Sequence, residues 1–354
     1  MIIPQPLTAK IGEVKYRNKL SSQHQGKNNY FPEEYNSKEI KKIILEKIKR
    51  IQIDFTALKK EKVIFSPFLE IGAERGQASL LLTNKFKARG YASDIAKEPL
   101  HNIKNLSNNL TYEKCPKILI CDAENLPFAD NSFAFIFCYQ TLHHFNHPLT
   151  VTSEICRILK PGGWFFFAEE PVKQWFNIPL WYRPTKLRWW EKILKILLIL
   201  PFISKIGKTE IDHGILENTF SMTQWKQALE IFEKVNTEIK PYPFGQTGKL
   251  SKNGFIWKNI NLLSKIFIFL LGGGISGLMQ KHDNLIQNKL SSNTLPQLVC
   301  IRCGLKKNNT TINSFLVKKS QKLVCPKCNN IYPISNKIPI VLSKKLIDLL
   351  YPDI

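Results

Sequence analysis

Three carboxylates each stand at or just beyond the end of an apolar run, and their spacing points to the binding of a nucleotide-like ligand. The first, Glu70, lies in Phe68-Leu69-Glu70-Ile71-Gly72-Ala73-Glu74-Arg75-Gly76, where an apolar segment breaks into a glycine-bearing turn. The run before it fits a buried parallel strand, and the alanine- and leucine-rich stretch after Gly76 fits a helix. Strand, tight turn and helix N-terminus form a cradle for such a ligand. The second, Asp94, closes Gly90-Tyr91-Ala92-Ser93, 24 positions after Glu70. An acid there can accept hydrogen bonds from ribose hydroxyls, each worth about 1.5–3 kcal/mol. The third, Asp122, follows Ile118-Leu119-Ile120-Cys121 and precedes Ala123 and Glu124.

A second constellation is metal-binding in type. Cys300-Ile301-Arg302-Cys303 is followed, 21 residues later, by Cys325-Pro326-Lys327-Cys328. Two such knuckles match a four-thiolate Zn²⁺ ribbon, and four sulfurs argue for a structural rather than a catalytic ion, which keeps a ligand position open. Met1–Arg17 has no basic start followed by an apolar core, so a disulfide-forming compartment is not expected. Cys115, Cys121, Cys138 and Cys156 read as reduced thiols, three of them within apolar patterns.

Proton transfer has four candidates. His143 and His144 follow a fourth apolar run, Phe133–Tyr139, at the edge where ligands bind in open α/β sheets. His144 can act as a general base or belong to the scaffold. Glu170, closing the next strand-like run at 164–168, can be a base or a helix cap. His213, in Ile211-Asp212-His213-Gly214, can be oriented by Asp212 or be a plain loop histidine.

The positioning elements alternate strand and helix. Glu154-Ile155-Cys156-Arg157-Ile158-Leu159-Lys160-Pro161-Gly162-Gly163 reads as a helix end stopped by proline and glycine. Ser37 opens a helical run to Ile51, expected to be a lid, whereas 1–36 reads as polar and loosely ordered. Ser221 is a plausible N-cap for a helix over 222–232, and Lys234–Pro241 reads as a returning strand. The fold class is α/β: a Rossmann-like, doubly wound, mostly parallel sheet with a helical insert and a small C-terminal zinc ribbon. Four segments follow: a basic tail and lid helix (1–60), a cofactor core (61–171), an acceptor-binding apolar insert that completes the sheet (172–290), and the ribbon (296–346), with 280–296 as linker.

With its five motifs in this order, 61–171 resembles the large Rossmann-like class of S-adenosylmethionine-dependent methyltransferases, closest to the type 11 domain. The resemblance implies that Glu70, Gly72 and Gly76 line the methionine moiety. It implies that Asp94 binds the ribose and that Asp122 and Ala123 sit at the adenine. The sequence departs from the family pattern at Glu74, where a glycine is usual, and at Ala134, where an acid is usual. The text around the cysteines, from Leu323-Val324-Cys325-Pro326 to Ile338-Pro339-Ile340-Val341-Leu342, resembles the small zinc-ribbon family that includes the activator subunit of tRNA and translation-factor methyltransferases. Such ribbons pack on a methyltransferase and stabilise it.

The chain has 354 residues and a formal net charge of +23. Residues 61–170 carry 11 basic and 12 acidic side chains, against 13 and 6 in 1–60, 17 and 8 in 171–290, and 10 and 2 in 291–354. The positive excess therefore lies outside the cofactor core and implies an anionic neighbour, nucleic acid or phospholipid. The stretch 186–203 mixes basic residues, paired tryptophans and aliphatics in a way that suits an interfacial helix. Neither it nor 260–279, broken by Lys265 and Gly272-Gly273-Gly274, offers the roughly 20 apolar residues that spanning needs.

The expected function is O-methylation of a small-molecule, lipid-linked or glycan acceptor by a cytoplasmic enzyme, with possible peripheral contact at the inner membrane face. RNA methylation is a rival suggested by the basic flanks, although no Asn-Pro-Pro-Tyr-type sequence or catalytic cysteine motif is present. A non-catalytic scaffold with a decayed loop at Glu74 is a second.

Overall fold

The computed structural model describes residues 4–23, 37–173, 189–200, 214–241, 260–282, 294–303 and 314–354. In chain order the elements are α1 (Leu7–Gln23), α2 (Ser37–Lys60), β1 (Phe68–Ile71), α3 (Gln77–Lys85), β2 (Gly90–Asp94), α4 (Lys97–His101), α5 (Ile103–Asn109), β3 (Lys117–Cys121), β4 (Phe133–Tyr139), a 3₁₀ turn (Leu142–His144), α6 (Pro148–Ile158) and β5 (Leu159–Pro171). They continue with α7 (Trp189–Ile196), α8 (Met222–Leu229), β6 (Lys234–Pro241), α9 (Leu262–Leu271), β7 (Gly273–Gln280), β8 (Val317–Lys319), β9 (Lys322–Val324), β10 (Ile331–Ser335), β11 (Ile338–Val341) and α10 (Lys344–Leu350).

The strands form one sheet in the order β6-β7-β5-β4-β1-β2-β3-β11-β10-β9-β8. Strands β5, β4, β1, β2 and β3 are parallel, so their carboxyl ends share one edge. Both faces of these strands are buried, hence their continuous apolar runs. Strand β7 runs antiparallel between β5 and β6. The apolar stretch 260–279 is therefore two elements: a helix that ends at Gly272, where φ is 81°, and a sheet strand.

Three other expectations are corrected. Residues 7–23 are helical rather than loose: Ala9 and Val14 are buried, and Lys10 is anchored to the sheet edge. Helix α2 runs to Lys60 and is a core layer rather than a lid, with Phe55 fully buried and its ring 5.3 Å from that of Phe137. The ribbon, expected to pack on the core, continues its sheet. Its last strand, β11, pairs in parallel with β3 (Ile340↔Ile120, Val341↔Cys121), and Cys300, Cys325 and Tyr332 share a core cluster with Leu69 and Tyr91. The expected helix end near Gly163 falls earlier, at Ile158, and Lys160-Pro161-Gly162-Gly163 enters the long β5 instead. Ser221 caps α8 as expected, in a capping box with Gln224.

Candidate active site

The turn after β1 is shaped by its two glycines. Gly72 and Gly76 have φ of 64° and 70°, a region that L side chains rarely adopt. A Cβ on Gly72 would stand 2.5 Å from Thr141 Cγ2, and one on Gly76 would collide with Ile103. Gly76 is also the residue before α3, so the turn delivers the chain into a helix N-terminus. Glu74 takes the left-handed conformation too, at φ 50°. Its side chain leads outward to Lys47 Nζ at 3.7 Å, and its backbone N–H donates to Asp94 Oδ2 at 2.8 Å.

Asp94 accepts a second bond from the Ala96 N–H at 2.9 Å, closing the β2 loop on the glycine turn. Burial pushes its pKa up to about 6 against the opposing pull of these two donors. Glu70 is buried and caps α3, accepting from the Ser79 N–H at 3.0 Å and from the Ser79 hydroxyl. Burial pushes this carboxyl up to about 7. Its Oε2 thus fixes the helix that follows the turn.

Asp122 lies one strand away, beyond β3, with Ala123 packed partly buried beside it. Asp122 Oδ1 accepts from the Glu124 N–H at 3.0 Å, and Oδ2 meets Lys10 Nζ of α1 at 2.5 Å. Lys10 also reaches Glu124 Oε2 at 2.8 Å, and Glu124 accepts from the Gln5 backbone N–H at 2.9 Å. Further along α1, Glu13 and Arg17 act on the charge of Asp94. Helix α1 therefore crosses the carboxyl edge from the loop of Asp122 to that of Asp94. Lys10, Glu13 and Glu124 were not legible as site residues, since no local motif marks them and Lys10 precedes Asp122 by 112 positions.

Near the end of β5, Glu170 is fully buried and accepts from the backbone N–H groups of Thr141 (2.6 Å), Leu142 (2.9 Å) and His143 (3.1 Å), in the turn after β4, and pairs with His143 Nδ1 (2.9 Å). Burial works against its charge, yet His143 and the backbone donors hold the carboxyl below its ordinary range. Committed four times over, Glu170 has the geometry of an anchor for the turn rather than of a base. His143 Nε2 lies 3.7 Å from Glu217 Oε1, and His144 Nδ1 lies 3.5 Å from the same oxygen, 2.9 Å from the Leu216 carbonyl and 3.9 Å from Glu13 Oε2. Ligand-type atoms of His143, His144 and Glu217 fall within 4.8 Å of one another. Glu217 is a further residue that sequence reading missed. His213 lies outside the described residues.

The four cysteine sulfurs also lie within 4.8 Å of one another. Cys300 to Cys328 is 3.7 Å and Cys303 to Cys325 is 3.9 Å, far beyond the roughly 2.05 Å of a disulfide. Zn–S bonds of about 2.3 Å in a tetrahedron place sulfurs about 3.8 Å apart, so the donor set fits the ion. Tyr332 OH and Ser314 Oγ stand 3.2 Å and 3.1 Å from Cys300 and Cys325, as supporting groups around thiolates do.

Residues 69–167 match the family described as "Methyltransferase domain". The Rickettsia typhi protein named ubiquinone/menaquinone biosynthesis C-methyltransferase UbiE is 36% identical over 112 residues, 29% of this chain and 44% of that protein. A fatty-acid O-methyltransferase of Mycolicibacterium smegmatis is 25% identical over 116 residues, 32% of this chain and 40% of that one. The chain thus spans less than half the length of these relatives. Among solved structures, geranyl diphosphate C-methyltransferase of Streptomyces coelicolor aligns with a TM-score of 0.45 and 12% identity, covering 79% of this chain and all of that one.

Proposed function

We propose, from the premise that 69–167 is a methyltransferase domain, that this protein transfers a methyl group from S-adenosylmethionine to a small or lipid-linked acceptor. The observation that carries the reading is the convergence of the Gly72–Gly76 turn, Asp94 and Asp122 at the carboxyl ends of three adjacent parallel strands. Bound there, S-adenosylmethionine supplies an electrophilic methyl with a neutral thioether as leaving group. The chain's own residues bind and orient. Gly72 and Gly76 leave room for the methionine moiety, while Glu70 fixes the helix that follows the turn. Asp94 accepts from the ribose hydroxyls, and Asp122 with Ala123 borders the adenine. Holding nucleophile and methyl in line can supply roughly 7–11 kcal/mol.

His144, beside Glu217, takes the proton from an acceptor hydroxyl, and the carboxylate stabilises the imidazolium that forms. Glu170 holds the turn that carries His144. The relatives' names, one for ubiquinone/menaquinone biosynthesis and one for fatty acids, favour a lipid-linked acceptor over a free glycan. The cysteine quartet holds a structural Zn²⁺ through Cys300, Cys303, Cys325 and Cys328.

Incubation of the full chain with methyl-labelled S-adenosylmethionine and a total lipid extract tests the activity. Label is expected in the organic phase, and loss of that label in Asp94→Ala ties it to this site. Label recovered only in added RNA, or in no fraction, would overturn the proposal.

A further inference from the structure

Helix α7 is built inside out. Trp189 and Ile196 are 73% and 78% exposed, while the one buried side chain of the helix is Glu191 at 8%. The exposed run continues beyond it through Leu197, Leu198 and Ile199. Helix α9 repeats the pattern: Leu262 and Leu263 are 72% and 69% exposed, Phe267 and Phe269 are about half exposed, and only Ile268 is buried. Single exposed leucines are ordinary, but contiguous apolar patches mark an interaction surface.

We infer that α7 and α9 are interfacial anchors for an anionic phospholipid surface. Length excludes a span: the helices have 8 and 10 residues, about 12 and 15 Å at the α-helical rise, and no described helix is long and apolar enough to cross a bilayer. Composition suits a helix lying at headgroup depth, with tryptophan at one end, aliphatic and phenylalanine side chains along it, and lysines between them (Lys192, Lys195 and Lys265). Charge selects the partner. Residues 171–290 carry 17 basic against 8 acidic side chains, and the one acid on α7 is turned inward. A second copy of the chain would bring like charges together, whereas phosphate headgroups neutralise them.

Position supports a role at the site. The register Pro171↔Gly274 and Pro241↔Gly273 puts the end of α9 beside the carboxyl ends of β5 and β6, the sheet edge that carries Asp94 and Asp122. Acceptor delivery from this surface rests on the lipid-linked reading above. Lipid attachment does not, since it is scored without cofactor or acceptor.

The test is co-sedimentation of the full chain with phosphatidylcholine vesicles, with and without a phosphatidylglycerol fraction, across a salt series. Binding is expected to the anionic vesicles, weakening as salt rises. The pairs Trp189→Ser with Ile196→Ser, and Leu262→Ser with Leu263→Ser, are each expected to lower vesicle affinity at least about tenfold while S-adenosylhomocysteine binding stays unchanged. If a pair fails to fold, quenching of the parent's tryptophan fluorescence by brominated lipid, reduced in Trp189→Phe, supplies the readout. Absence of vesicle binding at low salt, variants that bind like the parent, or a dimer in solution that these substitutions dissociate would each overturn the inference. Unaltered vesicle binding by a protein with no methyl transfer would reject the activity and leave the surface standing.

Discussion

Lys10 Nζ stands 2.5 Å from Asp122 Oδ2, so a cation of the N-terminal helix holds the carboxylate assigned to the adenine. Both side chains are nearly buried, and Glu124 completes the group. In the proposed cofactor site, lysine and adenine would meet at one acceptor, so α1 is expected to yield when the cofactor binds. Lys10→Ala is expected to bind S-adenosylhomocysteine several-fold more tightly than the parent while the free protein loses about 3 kcal/mol, the scale for stranding one member of a buried ion pair. Calorimetry and thermal melts check the two arms. Weaker binding in the variant would mean that Lys10 belongs to the loaded site.

Protonation of Asp94 should control binding. Its value of about 6 lies above the ordinary 3.8, and Glu70 stands at about 7 against 4.5, both through burial. A carboxyl with a raised folded value binds protons more readily in the native state, so the fold weakens as pH rises from 3.8 to about 6 for Asp94 and from 4.5 to about 7 for Glu70, and is relieved as pH falls. Ligand binding has the opposite sign, because ribose hydroxyls donate to the ionised form. Affinity for S-adenosylhomocysteine is expected to fall by up to about tenfold per pH unit below about 6. Titrations in buffers of different ionisation heat measure the accompanying proton release. A flat profile in Asp94→Asn assigns the effect to this residue.

Zinc removal should loosen the cofactor loops, because the ribbon and its tail brace them. Tyr351 OH, just beyond α10, donates to the Ile95 carbonyl at 2.5 Å and accepts from the Lys97 N–H at 3.1 Å, immediately after Asp94. On the other side the Val299 N–H donates to the Pro127 carbonyl at 3.0 Å, close to Asp122, and Tyr91 OH to that of Pro296 at 2.8 Å. Chelation is expected to lower the melting temperature and weaken cofactor binding together, and zinc addition to restore both. An intact affinity after complete zinc loss would separate the ribbon from the site.

The His144–Glu217 pair should govern turnover rather than binding. His144→Gln is expected to reduce kcat by about 10²-fold, and Glu217→Gln by less, with unchanged affinity for S-adenosylhomocysteine. Equal rates in parent and variant would return His144 to the scaffold.

The parallel centre of the fold was legible because most of its strands hold an apolar run with an acid or turn at the carboxyl end. Gly72 and Gly76 were legible for the same local reason. What stayed hidden is tertiary. The stretch Leu7–Gln23 lacks a strong apolar stripe, and its order comes from Lys10 meeting two acids that lie more than a hundred positions away. Pairing of β11 with β3 joins segments about 220 residues apart, so the ribbon read as an appendage. Glu170 carried the right residue type at the right strand end, yet the turn at 141–143 claims its oxygens.

The central claim is that Asp94 and Asp122, on neighbouring parallel strands, close on one adenosine-shaped ligand. Titration calorimetry of the full chain with S-adenosylhomocysteine measures this most directly. The account expects one site with a dissociation constant on the order of micromolar, weakened at least about tenfold in Asp94→Ala. No heat at millimolar ligand, or an Asp94→Ala protein that binds like the parent, would contradict it.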